Sequence, residues 1–462
     1  MLRDRYEPMH LFTLVPALSY TIDRVLAQLD SLLDDDRLFQ TVKADLAKRY
    51  PRTEVDGRPS TPVEVILRLL VVKHLYDWSY AQTEHFVSDS LVLRQFCRIY
   101  LQRVPDATTL MRWANVIQPA TLHQLLDHVV VLAQELKVTR GRKLRIDGTV
   151  VETNIHHPSD STLLHDGVRV LSRTLGKAKQ ILQEAPAAAR KLFRDRTRSA
   201  KRFMKRIMEA ARQRGEQAEP SLQAAYQQLL DVTGATVEQA QQVAAALQAQ
   251  TSEAAQRVVA TLEQYVPLVE QVIIQTTRRV LHGEQVPASE KVVSVFEPHT
   301  AIIRKGKPGK PTEFGRVVWL DEVDGGLISR YDVLDGNPDE EAQLPPSLDH
   351  HLKVFKRPPR VLAGDRGVHS PHNEHYATQH GVKQVVLPKP GAKTAKRIAH
   401  EQQRWFRRGR NWRAGIEGRI SGLKRRHGLD RCHYHGDAGM ERWVGWGIIA
   451  HDLRVIGQAL TG

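Results

Sequence analysis

Segments of β-rich composition fall in two blocks, and about 110 residues of helical composition separate them. The first block is 142–155, and the second opens with V-V-S-V-F at Val292. Later strand-like runs start at Gly315, at Gly326, before Asp365 and at Lys383, with helices predicted near 339–355 and 371–380. Strands that alternate with helices favour an α/β fold, so we predict a mixed sheet interrupted by a helical insertion.

The N-terminal part, up to about residue 135, is predicted to be all-helical. The runs T-P-V-E from Thr61 and S-Y-A-Q from Ser79 both fit a capping box. The long run after Pro62 is apolar nearly all round, which is typical of a buried helix. Short helices with tight turns resemble helix-turn-helix packing, so this part is interpreted either as a DNA-contacting domain or as a helical dimerisation domain.

These patterns predict five consecutive segments. They are a helical N-terminal domain, a first piece of an α/β core, a basic helical insertion, a second piece of the core and a C-terminal helix. Their predicted bounds are 1–138, 139–175, 176–285, 286–440 and 441–462.

The chain of 462 residues carries a net charge of +15, which favours a polyanionic partner, most often nucleic acid. Its two cysteines, Cys97 and Cys432, lie far apart in sequence, which favours a reducing compartment. No apolar stretch approaches a membrane span, and the N-terminus lacks the core of a signal peptide. We therefore expect a cytoplasmic, nucleoid-associated protein with no membrane partner.

The predicted insertion contains a strongly basic run. Residues 190–212 hold ten Lys or Arg against only Asp195 and Glu209. Such a run fits either a helix along a phosphate backbone or a solvated helix face.

Three acidic residues occur where a metal site can be built. Asp147 lies in the first β-rich segment, Asp365 ends a short apolar run, and Glu417 lies in a predicted helix. Arg413 and Lys424 stand four residues before and seven after Glu417, and these offsets fall on one helix face. Carboxylates that converge on two divalent ions are the requirement of two-metal phosphoryl transfer.

These motifs resemble those of DDE transposases of bacterial insertion sequences, in particular an ISNCY-type group. The residues that carry the resemblance are L-R-I-D-G-T-V-V-E-T-N-I-H from Leu144, L-A-G-D-R-G-V-H-S from Leu362, and the Arg413, Glu417 and Lys424 pattern. The stretch from Trp78 and P-D-A-T-T-L from Pro105 resemble the helical domain that precedes the core in that family. The resemblance covers about residues 60–175 and 290–430.

The resemblance implies an RNase H-like catalytic core with Asp147, Asp365 and Glu417 as catalytic metal ligands for two Mg²⁺ or Mn²⁺ ions. It implies binding of double-stranded DNA at the element ends, hydrolysis there, and strand transfer to target DNA by the freed 3′-hydroxyl. It also implies a homodimer or a higher oligomer. One departure is Arg410, which stands where the family signature has a Tyr.

Further DNA contacts are predicted around the Glu417 helix. Arg413 and Lys424 would hold phosphates or orient Glu417. The other basic candidates are Arg366, Arg410 and Arg425. Trp405 and Trp412 interleave with arginines and would either stack on unpaired bases or pack in the core. The glycines at 415, 418 and 422 suit a close approach of DNA or tight packing on a sheet.

Three alternatives stay open at this stage. One concerns two groups of polar residues, which are interpreted either as metal ligands or as ordinary polar side chains. The groups are the C-H-Y-H run from Cys432 and the acidic and His residues near the first strand, namely His156, His157, Asp160, His165 and Asp166. The other two concern the function of the whole chain. It is interpreted alternatively as a catalytically inactive DNA-binding repressor derived from a transposase, or as another two-metal DNA nuclease.

Overall fold

The structure is a computed structural model, and it describes residues 1–14, 23–49, 52, 55–57, 59–181, 193–248, 250–307 and 310–462. The chain forms two compact units. The first unit combines Met1–Thr153 with Arg316–Gly462, and the second is Asn154–Gly315. The predicted insertion, 176–285, lies inside the second unit, which starts earlier and ends later than the insertion. Part of that predicted insertion, 182–192, lies outside the described residues.

The N-terminal part of the first unit is helical, as predicted. Its helices are α1 (Arg24–Leu32), α2 (Asp36–Ala47), α3 (Val63–Leu75), α4 (Tyr80–Asp89), α5 (Leu91–Phe96), α6 (Ala107–Ala114) and α7 (Pro119–Glu135). Every residue of α3 is buried, as its apolar composition predicts. The capping box of α4 is confirmed, because Ser79 and Gln82 exchange side chain to backbone hydrogen bonds.

The capping box predicted at Thr61 is wrong. Helix α3 begins at Val63, and its N-cap residue is Pro62, which makes no capping bond. The N–H groups of Val63 and Glu64 donate to the backbone carbonyls of Arg3 and Asp4. Backbone carbonyls of the N-terminal segment therefore accept hydrogen bonds that the Thr61 side chain would accept in a capping box.

The first unit also contains most of a mixed sheet, so the predicted α/β class with mixed pairing is confirmed. The strands of the sheet are β1 (Lys143–Thr153), β2 (Ala301–Lys307), β3 (Lys310–Val323), β4 (Ile328–Leu334), β5 (Val361–Ala363), β6 (Gln384–Val386) and β7 (Arg431–Cys432). Strand β4 pairs antiparallel with β3, which neighbours β1. Strand β1 pairs in parallel with β5 and β7, and β5 pairs in parallel with β6.

In the C-terminal part of the first unit, the described α-helices alternate with the last three strands of the sheet. They are α12 (Leu344–Phe355), α13 (Pro371–Gln379), α14 (Ala395–Gln402), α15 (Arg404–Arg426) and α16 (Asp437–Thr461). Helix α15 packs against β1, β5 and β6. Helix α16 packs against α1, α3 and α7, so the C-terminal helix shares a core with the N-terminal helices.

The described part of the second unit is built on four α-helices. These are α8 (Asp160–Ile181), α9 (Thr197–Ala210), α10 (Ala218–Gln248) and α11 (Glu253–Thr276), and one apolar core joins them. Strand β2 pairs antiparallel with the Lys310–Gly315 part of β3, which continues into the first unit. Among the described helices of the chain, none is both long and apolar enough to cross a membrane.

The strand predicted at Val292 is wrong, because 292–300 is irregular and β2 begins only at Ala301. Val293 and Val295 are buried, which explains the alternating pattern. The backbone of Val292 is paired by one side chain. The Gln275 Oε1 accepts its N–H at 2.9 Å, and the Gln275 Nε2 donates to its carbonyl at 3.0 Å. A side-chain amide thus takes the place of a neighbouring strand.

Candidate active site

The three predicted carboxylates are mounted on neighbouring elements of the first unit. Asp147 lies within β1, Asp365 follows the end of β5, and Glu417 lies on α15. In the parallel pair β1–β5, Arg145 is opposite Ala363, so each aspartate comes two residues beyond the same register position. Parallel pairing therefore brings the two aspartates to one place, and the packing of α15 on both strands adds Glu417.

One guanidinium contacts all three carboxylates. Arg413 Nη2 lies 2.8 Å from Asp147 Oδ2 and 3.9 Å from Asp365 Oδ2, and Arg413 Nη1 lies 3.7 Å from Glu417 Oε1. The contact with Glu417 is made within α15, at a spacing of four residues. The structure thus brings together four residues that the sequence had singled out, around a single positive charge.

The two aspartates are held more firmly than the glutamate. Asp147 Oδ1 accepts the Gly148 N–H, and Asp365 Oδ1 accepts the N–H groups of Gly367 and Val368. Each aspartate therefore has one oxygen fixed by backbone and the other turned to Arg413. The Glu417 side chain is 73% exposed, against 14% for Asp147. Glu417 is the member that can rearrange most easily when a ligand arrives.

The three carboxylates of this cluster supply the kind of oxygen atoms that bind divalent metal ions. Carboxylate oxygens are the ligands that Mg²⁺ and Mn²⁺ prefer. Across the described part of the chain, no group of three or more His, Cys, Asp or Glu side chains is arranged to hold a metal ion. In the carboxylate cluster, the Arg413 guanidinium supplies the positive charge instead. The three carboxylates therefore supply oxygen donors of the kind that Mg²⁺ prefers, and the positive charge among them in this structure is that of Arg413.

The remaining predicted phosphate contacts are spread over α15 and the loop after β5. Lys424 Nζ donates to the Val150 carbonyl at 2.7 Å, so its ammonium is tied to β1. Arg425 is exposed and donates to the Ser421 carbonyl of its own helix. Arg366 and Arg410 are exposed. Lys424 is thus placed to position β1, while the three arginines face solvent.

Trp405 and Trp412 lie on a separate surface of α15. They line a cavity of about 440 Å³ together with Lys143, Arg360, Arg404 and Arg408, which we call the cationic pocket. Lys143 Nζ lies 5.5 Å from the centre of the Trp412 ring. The arginine flanks were visible in the sequence, but Lys143 and Arg360 were missed. Their positions could have indicated them, because Lys143 begins β1 and Arg360 directly precedes β5. The two strands are paired there, with Lys143 opposite Val361.

The glycines of α15 serve two different purposes. A Cβ on Gly415 would lie 2.7 Å from Arg145 Nη1, so a side chain at this position would displace the end of Arg145. Arg145 is buried there and makes a two-pronged ion pair with Glu322 at 2.8 and 2.6 Å. At Gly418 and Gly422 a Cβ would meet nothing within 4 Å. Tight packing therefore explains Gly415, whereas the other two leave an open helix surface beside Glu417.

Four of the other metal-ligand candidates, His156, Asp160, Asp166 and Cys432, have ordinary partners. Asp166 pairs with Arg169 at 3.2 Å, and His156 Nε2 lies 3.5 Å from the same carboxylate. Asp160 forms an ion pair with Arg279. Cys432 Sγ accepts the Tyr434 N–H at 3.3 Å. These contacts fit structural roles for the polar residues near the end of β1 and for the C-H-Y-H run.

Comparison with protein families gives one match. The model of the family described as "Transposase domain (DUF772)" matches residues 18–115, which hold helices α1 to α6. No curated protein and no solved structure matches the chain. The family match supports a transposase, and it rests on the helical N-terminal part rather than on the carboxylates.

Proposed function

We propose that this protein is a DDE transposase of a bacterial insertion sequence, resembling the ISNCY-type group. It binds the terminal inverted repeats of its element, cleaves DNA strands there and joins the freed 3′ ends to target DNA. The observation that carries the proposal is the convergence of Asp147, Asp365 and Glu417 on the single guanidinium of Arg413.

An RNase H-like architecture for the core is part of this proposal. Its support is the strand order, in which β4 pairs with β3, β3 neighbours β1, β1 pairs with β5 and β5 with β6. In the chain, the antiparallel β3–β4 pair precedes helix α12, and the parallel strands β5 and β6 follow that helix. Such a sheet places the carboxylates on its central strand and on the strand beside it.

In the proposed site, Asp147, Asp365 and Glu417 hold two Mg²⁺ or Mn²⁺ ions. When bound, these ions supply activation of the attacking oxygen and charge stabilisation at the leaving oxygen. The chain's own part is to fix the carboxylates. Backbone N–H groups hold one oxygen of each aspartate, and Lys424 ties α15 to β1. Arg413 then releases the carboxylates and turns its guanidinium to a DNA phosphate.

Double-stranded DNA is the proposed partner, at the element ends and at the target. The net charge of +15 and the exposed Arg366, Arg410 and Arg425 supply sequence-independent attraction for phosphates. In the second unit, α9 exposes a basic face that consists of Arg198, Lys201, Arg202, Lys205 and Arg206. A homodimer or higher oligomer that pairs two element ends, in the cytoplasm at the nucleoid, completes the proposal.

The test is cleavage of DNA that carries the element ends, in Mg²⁺, by the variant Glu417→Gln. Glu417 is largely exposed, so the substitution leaves the fold intact and removes one charged ligand. We expect cleavage to fall at least about a hundredfold while binding to the same DNA in Ca²⁺ persists. Glu216→Gln, an exposed glutamate of the second unit, is the matched control. Cleavage by Glu417→Gln at the rate of the control would overturn the proposal.

A catalytically inactive DNA-binding protein is the second candidate. One observation favours it, namely that Arg413 occupies the space among the carboxylates and no described group of ligands is ready for a metal. Its signature is binding of end-containing DNA in both Mg²⁺ and Ca²⁺ with nicking in neither. Cleavage that requires no element ends would instead identify another two-metal nuclease.

A further inference from the structure

A second cavity of the first unit is lined by other residues than the three carboxylates. Its volume is about 630 Å³, and its walls come from the end of α3, from α4 and α6, and from the chain around the start of α16. The residues used below are Lys73, Asp77, Trp78, Tyr80, Tyr434 and Trp443. We call this cavity the aromatic pocket. Its size falls in the range of sites that enclose small organic ligands.

Lys73 is the unusual member of the aromatic pocket, because it is a buried cation, only 2% exposed. Its Nζ lies 4.9 Å from the ring centre of Tyr80, 5.0 Å from that of Tyr434 and 4.8 Å from that of Trp443. Within the described chain, no carboxylate pairs with this ammonium and no acceptor bonds to it. Three ring faces offset part of the cost of burying the charge, but they leave its three N–H donors without acceptors.

Burial of the Lys73 ammonium without a paired anion costs free energy, and the pKa of Lys73 reflects this cost. Burial lowers the pKa of Lys73 to about 8, and the nearby Asp77 carboxylate opposes this only in part. A buried ammonium without an anion is expensive, and a Met or Leu would fill the same space without that cost. Selection for stability therefore does not account for a lysine here, whereas an anionic ligand does.

A second cation, Arg442, lines the same pocket and has one donor without a partner among the described residues. Arg442 lines the pocket, and its Nη2 donates to the Asn115 Oδ1 at 3.3 Å. Its Nε is buried and has no hydrogen-bond partner among the described residues. The pocket thus offers donors of Lys73 and Arg442 against the single acidic side chain of Asp77. That balance suits a group with more than one negatively charged oxygen.

Flat apolar surface accompanies these donors. Trp78 lines the pocket and stacks on Tyr76 with ring centres 4.7 Å apart. The Phe86 ring lies 4.6 Å from the Trp78 ring, and Tyr76 and Phe86 are each 38% exposed. Proteins that bind single-stranded nucleic acid commonly stack bases on aromatic side chains beside positive charges that attract the phosphates.

We propose that the aromatic pocket binds a nucleotide, with the phosphate at Lys73 and Arg442 and the base against Trp78. The chemistry is that of a nucleoside monophosphate, from either of two sources. In the first, it is an unpaired nucleotide of a DNA strand, and this source rests on the proposed transposase function. In the second, it is a free nucleotide, which requires no transposition.

The probes are dAMP, deoxyadenosine, inorganic phosphate, a DNA duplex with one unpaired adenine, and the same duplex fully paired. Binding to the full chain is measured in Ca²⁺ by titration calorimetry for the small molecules and by fluorescence anisotropy for the duplexes. The variants are Lys73→Met and Trp78→Ala. The matched control is Lys177→Met, an exposed lysine of α8 in the second unit.

We expect wild-type protein to prefer dAMP over both deoxyadenosine and phosphate, or to prefer the duplex with the unpaired adenine over the paired one. Lys73→Met and Trp78→Ala each weaken the preferred probe at least about tenfold, and Lys177→Met does not. A preference confined to the duplex identifies a DNA strand as the source, and one for dAMP identifies a free nucleotide.

The proposal is overturned if wild-type protein prefers neither the nucleotide nor the unpaired duplex, or if both pocket variants bind as the control does. Should Lys73→Met fail to fold, Trp78→Ala decides alone, since Trp78 is only half-buried. The same titrations in the Glu417→Gln background keep the two proposals apart. If Glu417→Gln loses cleavage but still binds the nucleotide, the result bears on the proposed catalytic site and not on the aromatic pocket.

Discussion

Arg413 Nη2 lies 2.8 Å from Asp147 Oδ2, and this ion pair joins helix α15 to β1, the central strand of the sheet. The same guanidinium also contacts Asp365 and Glu417. Three carboxylates at such short range repel one another unless a positive charge lies among them. Arg413 therefore holds the site together in the absence of other cations, and it competes with any cation that enters.

Removal of the Arg413 charge is expected to expose that repulsion. Arg413→Gln should lower the free energy of unfolding by about 1–2 kcal/mol in EDTA, because the guanidinium is largely buried among the carboxylates. Millimolar Mg²⁺ or Mn²⁺ should restore much of the loss and should raise the melting temperature more than in wild type. Melting curves in EDTA and in metal check both effects.

The control for Arg413→Gln is Arg407→Gln, an exposed arginine of the same helix. It should melt as wild type does in both conditions. Equal stabilisation of wild type, Arg407→Gln and Arg413→Gln by Mg²⁺ would contradict the idea that the guanidinium stands in for a metal.

Lys424 is expected to act through structure rather than through phosphate contact alone. Its Nζ donates to the Val150 carbonyl at 2.7 Å, so Lys424→Met should cost about 1 kcal/mol of stability. Arg425→Gln removes a neighbouring exposed charge and should leave the unfolding midpoint in urea unchanged. If the two variants unfold at the same midpoint, the bond to β1 contributes nothing and Lys424 is available to DNA.

The aromatic pocket should give the protein a distinctive alkaline response. Burial lowers the pKa of Lys73 from 10.5 to about 8, so the folded state binds fewer protons than the unfolded state between those values. The contribution of Lys73 to stability is therefore most unfavourable below about pH 8 and is relieved as the pH rises towards 10.5.

At neutral pH, Lys73→Met should be more stable than wild type by up to about 3 kcal/mol, and the gap should close near pH 10. Urea unfolding at a series of pH values measures it. A gap that stays constant with pH would show that the ammonium is not desolvated in the folded protein.

Glu441 should produce the opposite slope in the acidic range. Burial, followed by the negative charges of Asp332 and Asp437, raises the pKa of Glu441 from 4.5 to about 7. The folded state then binds more protons than the unfolded state between these values, so stability from this group is lost as the pH rises from about 4.5 to 7.

Glu441→Gln keeps the shape of the protonated acid and should remove this slope. The variant should exceed wild type by about 2 kcal/mol above pH 7 and match it near pH 4.5. Glu216→Gln, the exposed control, should follow wild type throughout. Identical pH profiles for Glu441→Gln and wild type would place the Glu441 carboxylate in contact with water.

Features that depend on neighbours in sequence were predicted well. The capping box at Ser79, the buried α3 and the strand that carries Asp147 follow from local hydrogen bonding and from apolar patterning. The spacing of Arg413 and Glu417 on α15 follows from helix geometry. The mixed α/β class follows from the order of the strands and helices. Each of these needs information from only a few consecutive residues.

The errors arose where distant residues supplied the missing partners. Gln275 pairs the backbone of Val292, so an alternating apolar run forms no strand. The carbonyls of Arg3 and Asp4 accept the first N–H groups of α3, so no capping box is required at Thr61. In both places the backbone found its hydrogen bonds through tertiary structure, which overrides local preference.

Local patterns in the chain are enough to assign Asp147 to a strand, Asp365 to the end of a short strand and Glu417 to a helix. They do not predict that Arg413 contacts all three carboxylates, that Lys143 and Arg360 share a pocket with Trp412, or that three rings enclose Lys73. The physical reason is that hydrogen-bonded local structure needs only short-range information. Contacts between side chains far apart in the chain depend instead on strand register and helix packing, which the whole fold sets together.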